Sequence, residues 1–384
     1  MLTAVLWLCL ALLAFAYVGY PLAMWARARW TPHALQPRAW QPRVDALLVV
    51  HDAAAGLARK LDNLLALDYP PERLRVHVAC DGCTDASAAI ARGHADARVS
   101  VHAFPTRRGK SACLGDVLPG LHGDVVLFCD VRQHIAGDAL RELVHALSDP
   151  RVGAASGELV FERPRECGFA SGVDAYWRYE RFVRRHEAAS GSVVGASGAL
   201  YAARRALLPP VPAGLILDDL WIPLAVARGG ARIAFARGAH AFDHAETDPA
   251  AEARRKRRTL AGNFQLIARE PSLLLPWTHP LGWRLWGHKW LRLLAPWLMA
   301  LALLANLALA ARSPAYRLLA LAQLGFYALA ALAWLAPACA RWPPARLAAT
   351  FVRMNGYAAL GLLDFVSGRA TAAWRPSTDR GPRA

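Results

Sequence analysis

The chain has 384 residues, of which 55% are hydrophobic and 19% charged, and its formal net charge is +16. This length exceeds that of one small domain, and the apolar content excludes an intrinsically disordered chain. Only four of the 45 basic residues are lysines and the rest are arginines. Apart from the run 254–258, these arginines are scattered along the chain, so the positive charge does not indicate a nucleic-acid-binding face.

The first predicted element is a membrane-spanning helix. Residues 2–26 carry no charge, and a run of this length crosses about 30 Å of hydrocarbon. Arg27 and Arg29 follow the run instead of preceding it, which is the opposite of a cleaved signal peptide. We therefore predict a transmembrane anchor over residues 1–26, with its N-terminus outside and the following domain in the cytoplasm.

From residue 44 to residue 270, short β-rich runs alternate with helical patterns. This alternation predicts an α/β domain in which helices cover a parallel sheet. The first helix is indicated by Leu57, Leu61 and Leu64, whose spacing places them on one face. We expect strands at residues 44–50, 74–80, 98–103, 124–129, 152–160 and 232–236.

Acidic residues follow three of these strands, at the edge of the sheet where parallel α/β proteins bind ligands. Asp52 follows the first strand, Asp81 and Asp85 follow the second, and Asp130 follows the run 124–129. Any one of them is explained as a turn or cap aspartate. Together they indicate a site for the hydroxyls of a ribose, a divalent cation, or both.

Two other motifs fail on their spacing. The segment Thr106 to Ser111 ends like a P-loop, but Phe104 stands where the first glycine is required. The segment Gly195 to Gly198 is similar to a nucleophile elbow, but Ala199 stands where the second glycine is required. We therefore expect neither a P-loop enzyme nor a serine hydrolase.

The last part of the chain returns to apolar segments. Tryptophans and basic residues alternate over 279–292, which predicts an interfacial helix. Two uncharged runs then predict a transmembrane hairpin over 293–340. The pattern at 345–368 leaves an interfacial, re-entrant or spanning helix open, and the arginines of the tail at 369–384 favour a cytoplasmic end.

Several short motifs follow one another in a specific order along the chain. They are His51-Asp52, Lys60-Leu-Asp-Asn, Asp81-Gly82-Cys83-Thr84-Asp85, Gly109-Lys110, Gly195-Ala-Ser-Gly198, Asp218-Asp219-Leu220 and Arg255-Lys-Arg-Arg258. This order resembles that of membrane-bound family 2 glycosyltransferases, such as the hyaluronan, poly-N-acetylglucosamine and cellulose synthases. The resemblance runs over nearly the whole chain and implies a GT-A fold, a Rossmann-like nucleotide-sugar domain, at residues 44–270.

The resemblance also implies roles for individual residues. Inverting sugar transfer needs a carboxylate that takes the proton of the incoming hydroxyl, and Asp219, beside Asp218, matches that base. Contacts to the nucleotide sugar are implied for Asp52, Asp81, Asp85, Lys110, Asp130, Arg132, Arg255 and Arg258. The acceptor side is implied for Gly195, Ser197 and Gly198.

Bland alternatives stay open for two of these groups. Adjacent aspartates at the start of a helix also favour its N-terminus without any catalytic role. Arg255 and Arg258 lie one helical turn apart and would present two guanidiniums to a leaving diphosphate, but a basic helix can also rest on a lipid surface.

The chain departs from the family pattern at two positions. The Asp-x-Asp motif that holds Mg²⁺ or Mn²⁺ is Asp130-Val131-Arg132 here. We predict that Asp130 remains a metal ligand, that metal dependence is retained, and that Arg132 supplies part of the charge neutralisation. Thr259 stands where polymerising members have a tryptophan for the acceptor sugar, so processive and single-sugar transfer both stay open.

The predicted protein is an inverting hexosyl- or N-acetylhexosaminyltransferase of cell-surface polysaccharide synthesis, in the inner membrane with its catalytic domain in the cytoplasm. Its expected partners are a nucleotide-sugar donor, a saccharide or lipid-linked acceptor, the lipid bilayer, and polysaccharide assembly or export proteins, but not nucleic acid. Two alternatives are a polyprenyl-phosphate sugar synthase and a catalytically silent membrane scaffold.

Overall fold

A computed structural model describes residues 1–162, 170–244, 248–336 and 338–371. The chain divides into two units. Of the described residues, the sheet unit comprises 32–162, 191–244 and 371, and the membrane unit comprises 1–31, 170–190, 248–336 and 338–370.

An eight-stranded sheet forms the centre of the sheet unit in the described part of the chain. The strands are β1 Val44–Val50, β2 Leu74–Asp81, β3 Val99–Phe104, β4 Val125–Cys129, β5 His134–Ile135, β6 Val152–Glu162, β7 Leu200–Arg204 and β8 Arg232–His244. They lie in the order β3-β2-β1-β4-β7-β6-β8-β5.

Strand β1 lies between β2 and β4 and is parallel to both. Its almost continuous apolar sequence is what a strand buried on both faces requires. Asp45 is the exception and is 3% exposed. Its carboxylate accepts hydrogen bonds from the backbone N–H groups of His122 and Gly123, at 2.9 and 2.6 Å, so the buried charge has partners.

A parallel sheet was predicted from the sequence, but the observed sheet is mixed. Strand β7 runs antiparallel between β4 and β6, and β5 is antiparallel to β8. The sequence did not reveal these two strands, because β5 has two residues and the Leu-Tyr-Ala-Ala-Arg sequence of β7 contains no β-branched residue. Strand β8 also continues to His244, well beyond the predicted end at residue 236.

The helices of the described residues alternate with these strands and then follow them. They are α1 Leu2–Trp30, α2 Ala54–Leu65, α3 Ser87–Gly93, α4 Lys110–Val117, α5 Ala139–Leu147, α6 Ala170–Ala189, α7 Asp218–Arg228, α8 Pro249–Arg269, α9 Gly282–Ala310, α10 Pro314–Leu335 and α11 Pro343–Val366. Leu57, Leu61 and Leu64 of α2 are fully buried against one face of the sheet, which confirms the predicted helical face.

Three helices of the membrane unit are long and apolar enough to cross a membrane within the described ranges, namely α1, α9 and α10. Helices α1 and α9 pack through Leu6, Cys9, Ala302 and Ala305, all almost fully buried. Helix α11 has 24 residues but is not one of these three. The predicted tail lies outside the described residues from position 372 onward.

The segment predicted as a separate interfacial helix, 279–292, is continuous with α9 from Gly282. Two of the basic residues that suggested an interface, Arg284 and His288, have partners inside the membrane unit, and Arg284 donates to the Glu187 carbonyl at 2.9 Å. Both ring nitrogens of His288 face carboxylates, Nδ1 at 2.8 Å from Glu187 and Nε2 at 2.9 Å from Glu180. These two polar groups are therefore satisfied within the unit, and an interfacial position of residues 279–292 stays a prediction.

Candidate active site

The loop after β2 is tied to the start of α4 by Asp81. This residue is 3% exposed, and its two carboxylate oxygens accept the backbone N–H groups of Arg108 and Gly109 at 2.7 and 2.8 Å. The next residue, Gly82, has φ +57°, and a Cβ atom there would lie 2.3 Å from the backbone nitrogen of Arg107. The turn therefore requires glycine, and Asp81 fixes the position of α4; its contact with a base or ribose stays a prediction.

Asp52 joins the ends of β1 and β2. Its carboxylate accepts the N–H of Thr84 at 2.7 Å and the Thr84 hydroxyl at 3.0 Å. These hydrogen bonds, that from the Thr84 N–H most of all, lower the pKa of Asp52. Asp85 braces the same loop, because its carboxylate accepts the backbone N–H groups of Ala54 and Ser87, each at 2.9 Å.

Lys110, the first residue of α4, lies between two carboxylates. Its Nζ atom is 3.0 Å from Oδ1 of Asp130 and 3.3 Å from Oδ2 of Asp218. Burial alone would lower the pKa of Lys110, but the charges of Asp130 and Asp218 outweigh burial and hold that pKa well above its ordinary value. A charged ammonium thus joins the end of β4 to the start of α7.

Asp219 is held by the glycine-containing segment predicted for the acceptor side. The N–H of Gly198 donates to Asp219 Oδ2 at 3.1 Å, and the N–H of Ala196 donates to the Asp219 carbonyl at 3.0 Å. A Cβ atom at Gly198 would lie 3.0 Å from Asp219 Oδ2. Ser197 is anchored in turn, because its N–H donates to the hydroxyl of Ser156 at 3.0 Å. The structure therefore brings the predicted base and the predicted acceptor segment together.

Arg132 is paired with Asp243, a residue that the sequence did not single out. Asp243 is 3% exposed and also accepts the side-chain amide of Gln133 at 3.0 Å. It was missed because β8 was predicted to end before it. Lys60, which is 2% exposed, holds the same loop from α2 by donating to the Gln133 carbonyl at 2.8 Å, and burial lowers the pKa of Lys60.

Arg255 and Arg258 lie on α8, in the membrane unit, one helical turn apart. Two neighbouring cations on this helix have partners within that unit. Arg257 makes a bidentate ion pair with Asp364 at 2.5 and 2.8 Å, and Lys256 lies 5.0 Å from the ring centre of Tyr176. Contact of Arg255 and Arg258 with a diphosphate stays a prediction.

Among the described residues, those of the Asp130 motif do not make up the two-carboxylate site of a tightly held divalent cation. Asp130 supplies one carboxylate, which already contacts the Lys110 ammonium, and Arg132 occupies the second position of the motif. A second group, Asp52 with Cys83 and Asp85, places one ligand atom of each within 4.8 Å of the others. Its carboxylates, however, are already hydrogen-bonded to backbone N–H groups.

The family of the chain follows from its sequence. Residues 42–262, more than half of the chain, match the protein family described as glycosyltransferase like family 2, and the chain belongs to that family. The order of its motifs predicted membership of this family.

A solved structure has the same fold along almost the whole chain. The mannosyltransferase PcManGT from Pyrobaculum calidifontis, in complex with GDP-Man and Mn²⁺, matches with a TM-score of 0.69 and 24% identity, over 96% of this chain and 100% of that one. The predicted GT-A fold is thereby confirmed.

Curated relatives match over a shorter stretch. A beta-monoglucosyldiacylglycerol synthase from Synechocystis is 27% identical over 37% of this chain and 32% of its own length. An N-acetylglucosaminyltransferase from Rhizobium leguminosarum bv. viciae is 28% identical over 40% of this chain and 36% of its own length. The chain thus spans about a third of the length of these relatives.

Proposed function

We propose that this protein is a glycosyltransferase that moves a sugar, with inversion, from a nucleotide-diphospho-sugar to a saccharide or lipid-linked acceptor in cell-surface polysaccharide synthesis. The observation that carries the proposal is the acid pair at the start of α7. Asp219 is held in place by Gly198, and Asp218 faces the Lys110 ammonium, which in turn contacts Asp130. A positioned carboxylate beside a fixed cation is what an inverting transfer from a diphosphate donor requires.

In the proposed reaction, Asp219 takes the proton of the acceptor hydroxyl. The acceptor oxygen forms its bond to the anomeric carbon on one face of the sugar, while the bond from that carbon to the diphosphate oxygen breaks on the other face. The leaving nucleoside diphosphate gains negative charge as that bond breaks, and Lys110, whose Nζ atom is 3.3 Å from Asp218 Oδ2, offsets it. Arg255 and Arg258 are proposed to contact the same diphosphate.

The names of the relatives bear on the transferred sugar and on one class of acceptor. One is named for N-acetylglucosaminyl transfer and the other for a glucolipid product. The second name supports a lipid-linked acceptor, and a polyprenyl phosphate is one such acceptor. We place the enzyme in the inner membrane with its sheet unit in the cytoplasm, on the support of three apolar helices and of Arg27 and Arg29 directly after the uncharged run of α1.

The proposal is tested with purified protein in detergent and labelled UDP- and GDP-sugars, with and without a polyprenyl phosphate. Each assay is run with Mn²⁺, with Mg²⁺ and in excess chelator, and the last condition tests the predicted metal requirement. Transfer to the lipid alone would identify a polyprenyl-phosphate sugar synthase, and long products would identify a polymerase. If neither transfer nor donor hydrolysis is detected with any of the sugars, the protein is a silent scaffold and the proposal is contradicted.

The role of Asp219 is tested by Asp219→Asn. We expect transfer to be abolished, because the amide cannot accept the proton, while binding of the nucleotide sugar, measured by calorimetry, is retained. Asp138→Asn is the matched control, since Asp138 is an exposed acid directly before α5. Full turnover by Asp219→Asn would show that Asp219 is only a favourable residue at a helix start.

A further inference from the structure

Tyr201, on β7, carries a buried hydroxyl without a hydrogen bond. The residue is 0% exposed, and its ring stacks on that of Phe128 of β4, with the ring centres 4.5 Å apart and the planes at 8°. The hydroxyl has no hydrogen-bond partner among the described residues. A phenylalanine would fill the same space without an unpaired polar group, so the hydroxyl needs another explanation.

The surroundings of Tyr201 are those of the acid pair. It lies three residues after Gly198, whose N–H holds Asp219, and it is paired across the sheet with Phe128, two residues before Asp130. Burial raises the pKa of Tyr201 well above its ordinary value, and the charges of Asp218, Asp219 and Asp130 raise it further. The phenol therefore stays protonated near neutral pH and can donate a hydrogen bond to a carboxylate.

A buried acceptor in the same cluster is also without a hydrogen bond. Asp218 Oδ2 is buried and has no hydrogen-bond partner in the described part of the chain. The negative charge of Asp218 is balanced by the Lys110 ammonium 3.3 Å away, in an ion pair that lacks hydrogen-bond geometry. Among the described residues, the cluster thus contains one buried donor and one buried acceptor that make no hydrogen bond with each other, while Lys110 faces Asp218.

We propose that Tyr201 is a positioning residue for the transfer reaction. This inference rests on the proposed function. When the diphosphate of the donor draws the Lys110 ammonium away from Asp218, the Tyr201 hydroxyl donates to Asp218 Oδ2 and replaces the lost compensation. The acid pair then keeps its place beside the sugar, and Asp219 remains aligned with the acceptor hydroxyl.

The test is Tyr201→Phe, assayed with the donor that the wild-type enzyme uses. We expect kcat to fall about 10- to 100-fold, the range for loss of one hydrogen bond to a charged group, with the KM for the donor changed less than threefold. The melting temperature of the ligand-free variant should stay the same or rise, because the lost hydroxyl had no partner. A residue with only a structural role would show no fall in kcat.

Tyr69→Phe is the matched control, and we expect it to change the melting temperature but not kcat. The Tyr69 hydroxyl donates to the Pro42 carbonyl at 2.6 Å, so its removal should lower the melting temperature and leave kcat unchanged. Unchanged kcat in Tyr201→Phe, with an active wild type, would overturn the role of Tyr201 and leave the proposed function standing. An inactive wild type would overturn both, and a fall in kcat that follows a lower melting temperature would overturn the role of Tyr201 alone.

Discussion

At the scale of single residues, the position of the proposed base, Asp219, requires a residue without a Cβ atom at position 198. The N–H of Gly198 holds the Asp219 carboxylate, and a Cβ atom there would lie 3.0 Å from Oδ2. We expect Gly198→Ala to displace that carboxylate by a few tenths of an ångström or more and to lower kcat by up to about 100-fold, the cost of a catalytic group misplaced by about 1 Å. Steady-state kinetics, with the KM for the donor as reference, measures the effect.

Gly56→Ala is the control for this substitution. Gly56 lies in α2, and a Cβ atom there would meet no atom within 4 Å. Alanine should therefore leave kcat unchanged and stabilise the helix by about 0.5–1 kcal/mol. Full activity of Gly198→Ala would mean that the Asp219 carboxylate does not need its observed place.

At the scale of elements, the start of α4 is positioned by Asp81 at the end of β2. Its two oxygens accept the N–H groups of Arg108 and Gly109, directly before Lys110. An asparagine has one acceptor oxygen and would turn an N–H₂ group toward one of these donors. We expect Asp81→Asn to raise the KM for the donor about 10- to 100-fold, because a charge-assisted hydrogen bond is lost and Lys110 shifts.

The same exchange at the surface provides the comparison. Asp96 binds Arg98 directly before β3, and both of its carboxylate oxygens accept hydrogen bonds, as those of Asp81 do. Asp96→Asn should leave the KM for the donor unchanged. If Asp81→Asn also leaves it unchanged, the link between β2 and α4 does not position the donor site.

At the scale of the whole molecule, the apolar helices predict a topology that labelling can test. With the N-terminus of α1 outside, the sheet unit faces the cytoplasm, and the turn between α9 and α10 lies outside. We expect Gly120→Cys, in the sheet unit, to react with a membrane-impermeant maleimide only in inverted vesicles. Arg312→Cys, in the turn, should react only in right-side-out vesicles or cells. Labelling of both sites from one side would contradict the spanning hairpin.

Much of the fold was predictable because it depends on local patterns. The apolar run of β1 and the spacing of Leu57, Leu61 and Leu64 each specify an element within a dozen residues. The carboxyl ends of parallel strands meet at one edge, so Asp52 and Asp81 could be placed together before the structure was known. Strand β7 was not predictable, because its sequence has little β-propensity and its place comes from pairing with β4 and β6.

The sequence by itself determined the family, the order of the motifs and the segments apolar enough to be membrane helices. Only the tertiary structure decided which charges meet. Lys110 faces Asp218, Arg132 pairs with Asp243 across 111 positions, and His288 lies between two glutamates of α6. The physical reason is that the strength of an ion pair depends on a separation of a few ångströms and on burial, and neither can be read from the spacing of residues along the chain.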